Sequence, residues 1–189
     1  MNIITEKEII SELKAGLQNP NRTALVLYEN TQINYGFDDK PNFEYCKQHN
    51  LAFVDIGRRG GAFVVNAGDV GLGHVAKGLN NDFGELLYSA FLKFLLSKGL
   101  NAIATENDIL INGYKVFGWA SHYYKDYDAT FITIHFSMSV DLDMIKSVCI
   151  KPMHKVPKGL NDFGIYREDI IQLIENVVTK YMQLNNIVQ

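Results

Sequence analysis

Two stretches of this chain carry residues suited to holding an activated anion. The first is Arg58-Arg59-Gly60-Gly61-Ala62, set between two apolar runs. Paired arginines offer forked donors to phosphate or carboxylate, and glycines let the backbone approach a ligand with successive N–H groups exposed. Together they would hold a nucleotide phosphate or an acyl phosphate. The plainer reading of the same residues is a strand turn with two solvated arginines. The second stretch is ENDILINGYKVFGWA, Glu106 to Ala120. Lys115 there stands inside an apolar hairpin, where an ammonium is costly to bury unless something anionic meets it. Gly118 leaves room for a ligand against the backbone. The alternative is an exposed lysine on the outward face of the hairpin.

Other reactive side chains are scattered. Cys149 follows DLDMIKSV, with Lys146, Lys151 and His154 close by in sequence. A cation or base would lower its pKa and make it a nucleophile, whereas a lone cysteine with apolar neighbours is a packing residue. Cys46, on a short helix, reads as structural. The two cysteines form no CxxC pair, which argues against a disulfide framework or a cysteine zinc site and for a reducing cytoplasm. His74, His122, His135 and His154 have no metal-ligand spacing. GDVGLG at 68–73 has the wrong glycine spacing for a dinucleotide fingerprint. The loop from His122 to Asp128 is polar and aromatic, either an ordinary hairpin loop or a contact for a partner.

The elements that must position these residues follow from periodicity. Residues 5–16 carry Ile9, Ile10 and Leu13 at helical spacing, with Thr5 as N-cap and Gly16 as stop. TALVLYE reads as a buried strand and TQINYG as a weaker one; Pro41 opens a short helix over PNFEYCKQHN, and LAFVDI is a strand. The glycine-rich piece GRRGGAFVVNAGDVGLG comes next. Residues 81–99 form the clearest helix, apolar at Leu86, Leu87, Ala90, Phe91, Phe94 and Leu95 and stopped by Gly99. Asn112-Gly113 between apolar runs predicts a two-residue hairpin turn, which needs positive φ. ATFITIHFSMSV alternates as a strand, DLDMIKSV is a short helix, and residues 166–184 make the last helix. GLNNDFG (78–84) and GLNDFG (159–164) each precede a helix, so capping by Asn and Asp explains the likeness. Hairpin strands with interspersed helices predict an α+β fold, a mixed and mainly antiparallel sheet with helices packed chiefly on one face.

At 189 residues the chain suits one domain, 1–189, with a sizeable core. Hydrophobic residues at 47% against charged residues at 21% exclude a disordered chain. A net charge of −3 gives no global basic field, so nucleic acid is not an expected partner. No apolar run approaches a membrane span and the N-terminus has no signal core, so a cytoplasmic protein is expected.

The order of the segments carries a resemblance. YCKQHNL leads into RRGGAFV, then comes a long helix ending in Lys-Gly, then ENDILINGYKVFGWAS, then a strand with His135-Phe136-Ser137-Met138, then Lys158-Gly159-Leu160. Over residues 23–165 this resembles the lipoate–protein ligase branch of the biotin/lipoate ligase superfamily. The resemblance implies an ATP-dependent ligase that joins lipoate or a related acid to a lysine of a lipoyl-domain acceptor protein, through an acyl-adenylate. It implies that Lys115 holds the acyl carboxylate and its phosphate, and that Arg58, Arg59, Gly60, Gly61 and Ala62 wall the adenylate. Asn107 and Asp108 would position the nucleotide, Asp108 with Mg²⁺, while Gly118, Ala120 and His135 would line the substrate. A second, accessory subunit is compatible with it.

The chain departs from that pattern at several points. Ala62 replaces a third glycine, Val65 or Asn66 stands where the family has a histidine, and Gly36 is followed by Phe37 rather than arginine. Phe117 replaces a serine and Trp119 a small residue, which would place two large aromatics beside the acyl pocket. Two other readings stay open. Octanoyl transferases of the same superfamily use a cysteine and no ATP, with Cys149 as the nucleophile here. A non-catalytic module would keep Arg58, Arg59 and Lys115 as an anion patch. The likeness of GRRGGAF to the biotin ligase loop is weaker, because no tryptophan follows it.

Overall fold

A computed structural model describes residues 1–56, 61–151 and 153–185. The chain begins with a strand, β1 (Asn2–Thr5), and not directly with a helix. A single 3₁₀ turn, Glu6–Glu8, leads into α1 (Ile9–Gln18). The expected stop at Gly16 is not one: the helix runs through it to Gln18 and is capped by Asn19. A Cβ on Gly16 would lie 2.6 Å from Cγ2 of Val75, so this glycine lets the helix lie close on the sheet. Next come β2 (Arg22–Leu27), β3 (Gln32–Tyr35) and α2 (Phe43–Gln48), whose N-cap Asn42 accepts a hydrogen bond from the Tyr45 N–H. They are followed by β4 (Ala52–Asp55), β5 (Phe63–Val65) and β6 (Val70–Lys77).

The second half is closer to the expected order. α3 (Asp82–Ser97) buries Phe83, Leu87, Phe91 and Leu95 at helical spacing, and Gly99 ends it at φ 77°. Each of these large side chains contributes about 1.5–3 kcal/mol of burial. β7 (Ala102–Ala104) and β8 (Asp108–Ile111) precede β9 (Tyr114–Tyr124). The turn between β8 and β9 has Asn112 at φ 51° and Gly113 at φ 84°, the two positive values that a twisted hairpin needs. β10 (Ala129–Phe136), α4 (Leu142–Val148) and α5 (Arg167–Leu184) complete the regular elements. The second Asn-Asp segment does not cap α5: it forms its own 3₁₀ turn, Leu160–Phe163, closed by Gly164 at φ 72°.

The fold is α+β, with a mainly antiparallel sheet of seven strands in the order β1-β2-β6-β10-β9-β8-β7 and a smaller sheet in the order β4-β3-β5. β1 pairs parallel with β2, and β4 parallel with β3. The long helices α3 and α5 cover one face of the large sheet, where Leu25, Leu72, Ile132, Ile134, Phe136 and Phe117 meet Phe83, Phe91, Ile170 and Ile174. α1 lies on the other face, where Leu17 meets Val75, Ala129 and Phe131. α2 and α4 pack on the small sheet around Ile33, Cys46, Val64, Ile145 and Val148. Among the described residues no helix is long and apolar enough to cross a membrane.

Candidate active site

Paired residues of neighbouring strands project from the same face of a sheet. One such row crosses the face away from α3 and α5: Ile4, Val26, Gly71, His135, Gly118, Asp108. Two of the six are glycines, one on each side of His135. The next row, Ala24, Gly73, Thr133 and Ala120, is made of small residues. Tyr28 covers Gly71 and Phe131 covers Gly73, at 2.9 and 3.2 Å from a Cβ placed there, so the face is open on the Gly118 and Ala120 side of His135.

Lys115 reaches this face because of a bulge. Leu110 pairs with Lys115 but Ile109 pairs with Phe117, so Val116 is an extra residue on β9 and the alternation shifts there. The Lys115 ammonium lies 2.7 Å from Asp108 Oδ1. A Cβ on Gly118 would lie 3.2 Å from both Lys115 Nζ and Asp108 Oδ1, so the pair rests against bare backbone. Asp108 Oδ2 accepts a second hydrogen bond from Lys155, also at 2.7 Å. Burial pushes the Asp108 carboxyl up, but the two lysines outweigh it and hold it below its ordinary value. Tyr88 donates to the backbone oxygens of Thr105 and Asp108, fixing the turn beneath the carboxylate.

The same bulge corrects the expected pocket wall. Phe117 is 1% exposed and packs against Phe91 and Phe136, with centroids 5.3 and 5.0 Å away. Trp119 lies against α3, where a Cβ on Gly84 would come within 2.7 Å of its ring. Both aromatics face the helices, and neither narrows the open face.

His135 is anchored from behind. Its Nε2 lies 3.0 Å from Oδ2 of Asp69, a carboxylate closed to solvent. Asp69 also accepts from the backbone N–H groups of Asn66 at 2.8 Å and Met138 at 2.7 Å. Tyr28 lies edge-on to the His135 ring and Phe63 tilts over it, with centroids at 6.4 and 6.1 Å. Burial, and then the Asp69 charge, push the Tyr28 phenol well above its ordinary value, so it stays protonated.

The remaining expected residues divide. Arg58, Arg59 and Gly60 lie outside the described residues. Gly61 and Ala62 lead into β5, and the Ala62 carbonyl accepts from Cys149 Sγ at 3.4 Å. Asn107 presents an exposed side chain, and its carbonyl accepts from the Trp119 N–H at 3.0 Å. Ala120 is exposed on the open face. Burial pushes the Cys149 thiol up, and the charge of Asp39 pushes it further, the reverse of what a nucleophile needs. Among the described residues no three His, Cys, Asp or Glu side chains converge, and both Asp108 oxygens are held by lysine. The Mg²⁺ expected at Asp108 therefore does not fit the carboxylate as it stands.

Asp69, Tyr28 and Lys155 belong to this site without a sequence motif to mark them. Lys155 had a faint signal: three lysines, 151, 155 and 158, fall within eight residues beside two prolines.

Residues 2–180, nearly the whole chain, match the lipoyl protein ligase A/B catalytic domain. The chain belongs to that family. No curated protein matches it by sequence. Three solved structures share its fold at 16% identity. A putative lipoate protein ligase from T. acidophilum with bound lipoic acid superposes with a TM-score of 0.77, covering 97% of this chain and 84% of that one. A lipoate-protein ligase A bound with ATP gives 0.76, with the same 97% and 84% coverage. A bipartite lipoate protein ligase from Thermoplasma acidophilum, described with its E2 lipoyl domain, gives 0.74, with 96% and 83% covered.

Proposed function

We propose that the chain, acting as one catalytic domain, is a lipoate–protein ligase that works through an acyl-adenylate. The observation that carries this reading is the Lys115 ammonium, held 2.7 Å from Asp108 over the bare backbone of Gly118, in the row that includes His135. The acid would lie on the small-residue face between His135 and Ala120, with its carboxylate towards Lys115. A carboxylate oxygen attacks the α-phosphorus of ATP, the bond to the β-phosphate oxygen breaks, and pyrophosphate leaves. Charge that develops on the α-phosphoryl oxygens meets a fixed ammonium, which stabilises it without reorganisation. The neutral amine of an acceptor lysine then attacks the acyl carbon, the bond to AMP breaks, AMP leaves with the electron pair, and the new amide nitrogen gives up its extra proton to water.

The partners follow from the same reading. The lipoic acid and ATP bound by two structures of similar fold support lipoate and ATP as substrates. The bipartite archaeal ligase supports a lipoyl domain as acceptor and an accessory second subunit. The open face, free of Phe117 and Trp119, supports a pocket able to take an acyl chain.

The test is pyrophosphate release from ATP with lipoate, followed by mass gain of a lipoyl domain. Lys115→Ala should lower the rate of adenylate formation about 10²-fold or more. Binding of lipoyl-AMP without any pyrophosphate release would instead mark a non-catalytic module.

A further inference from the structure

Lys155 has no part in the reaction as written above, yet the fold places it with care. It comes from the loop after α4, 47 residues beyond Asp108, and its ammonium lies 2.7 Å from Asp108 Oδ2. Lys115 lies the same distance from Oδ1. One carboxylate thus holds two ammonium groups, one on each oxygen, and the trio carries a net positive charge. Like charges sharing one counter-ion repel, and a part-buried setting strengthens that repulsion.

The loop is not a loose surface segment. The Lys115 N–H donates to the Val156 carbonyl and the Lys158 N–H to the Lys115 carbonyl, both at 2.9 Å, so the backbone on the C-terminal side of Lys155 is stitched to the strand that carries Lys115. Thr105 Oγ1 accepts from the Lys155 ammonium at 3.1 Å. Gly159 lies so close to the segment that follows β10 that a Cβ there would be 2.6 Å from the Met138 carbonyl oxygen, which pins the far end of the loop. Both lysines keep part of their surface in solvent, at 39% for Lys115 and 37% for Lys155, so both can reach a ligand.

We propose that Lys115 and Lys155 form a two-point clamp for a phosphoryl group, and that Asp108 holds the two ammonium groups at the spacing of paired anionic oxygens until the ligand's oxygens take its place. This rests on the adenylate reading and deepens it: the phosphoryl group is the α-phosphate of the nucleotide, gripped by two cations. Each charge-assisted hydrogen bond to a phosphoryl oxygen contributes about tenfold to a hundredfold in affinity.

The experiment is isothermal titration of the full chain, and of its Lys115→Met and Lys155→Met variants, with lipoyl-AMP and separately with inorganic pyrophosphate. Urea unfolding of each variant shows whether it is folded, and Lys155→Gln replaces Lys155→Met if methionine at that position lowers stability. The clamp predicts that either substitution weakens both probes about tenfold or more. Wild-type affinity in a folded Lys155 variant overturns the clamp and leaves the adenylate reading standing. Pyrophosphate binding that is lost in the Lys155 variant, with no lipoyl-AMP binding by the wild type, upholds the clamp and sinks the adenylate. If the wild type binds neither probe, both fall.

Discussion

His135 and Asp69 meet at 3.0 Å across 66 residues of sequence, and the Asp69 carboxylate is closed to solvent. One buried side chain thereby ties together the turn before β6, the end of β10 and the ring that faces the open sheet. Besides His135, it accepts from the backbone of Asn66 and Met138. Asp69→Ala would leave these donors buried without an acceptor, each at a cost of about 1–3 kcal/mol. The expected loss of stability is about 3 kcal/mol or more in urea unfolding. Asp69→Asn keeps one carbonyl oxygen as acceptor and should cost less. Equal losses in the two variants would show that the hydrogen bonds are not what holds this corner.

His74 gives the fold a dependence on pH. It stacks on Phe83 with centroids 4.3 Å apart, and Nδ1 meets Thr23 Oγ1 at 2.8 Å. Burial lowers its pKa from 6.5 to about 4. The folded state therefore keeps His74 neutral where the unfolded state takes up a proton. Stability is full above the unfolded value and falls as pH drops from 6.5 towards about 4, where the slope ends. The largest loss from this group is about 3 kcal/mol. His74→Gln keeps a partner for Thr23 and removes the titrating group, so its unfolding free energy between pH 6.5 and 4 should run flatter than the wild type's. Parallel curves would assign the acid sensitivity to other groups.

Much of this architecture can be read from the sequence, and what cannot has identifiable causes. The Asn112-Gly113 turn, α3 and α5 follow from local chemistry, because positive φ and helical periodicity need no distant partner. Lys115 and Gly118 stand out within the hairpin sequence itself, whereas Asp108 enters only through the family resemblance. β6 is not legible. Gly71 and Gly73 break the strand pattern, yet neighbouring rings fill the space above them: a Cβ would come 2.9 Å from Tyr28 and 3.2 Å from Phe131. Gly16 looks like a helix stop because its reason, the contact with Val75, lies on another element. Phe117 and Trp119 take the face opposite to the expected one, since the extra residue Val116 shifts the alternation. Lys155 and Asp69 join the site by tertiary contacts alone, which no spacing rule encodes.

Cys149 decides between ligase and transferase chemistry. Its thiol donates to the Ala62 carbonyl, and burial pushes its pKa up, so little thiolate is available at neutral pH. Cys149→Ser should leave ATP-dependent lipoylation within about threefold of wild type, well under the loss that follows removal of an activated nucleophile. Acyl transfer without ATP that disappears in Cys149→Ser would establish the transferase instead.

Gly118 is the most sensitive test of the proposed anion site, because it supports the lysine without touching the fold's core. A methyl at this position would sit 3.2 Å from Lys115 Cε, Lys115 Nζ and Asp108 Oδ1. These are side-chain ends, and they can give way by a few tenths of an ångström while the strand stays in register. Gly118→Ala should therefore cost about 1 kcal/mol or less in urea unfolding, near the range of a tolerated surface change. The lysine it displaces should cost far more in function, because a misplaced charge no longer meets the developing phosphoryl oxygens. The expected drop in the rate of adenylate formation is about tenfold to a hundredfold, read as pyrophosphate release. A folded Gly118→Ala variant with the wild-type rate would mean that the space beside Lys115 is not where the reacting group lies.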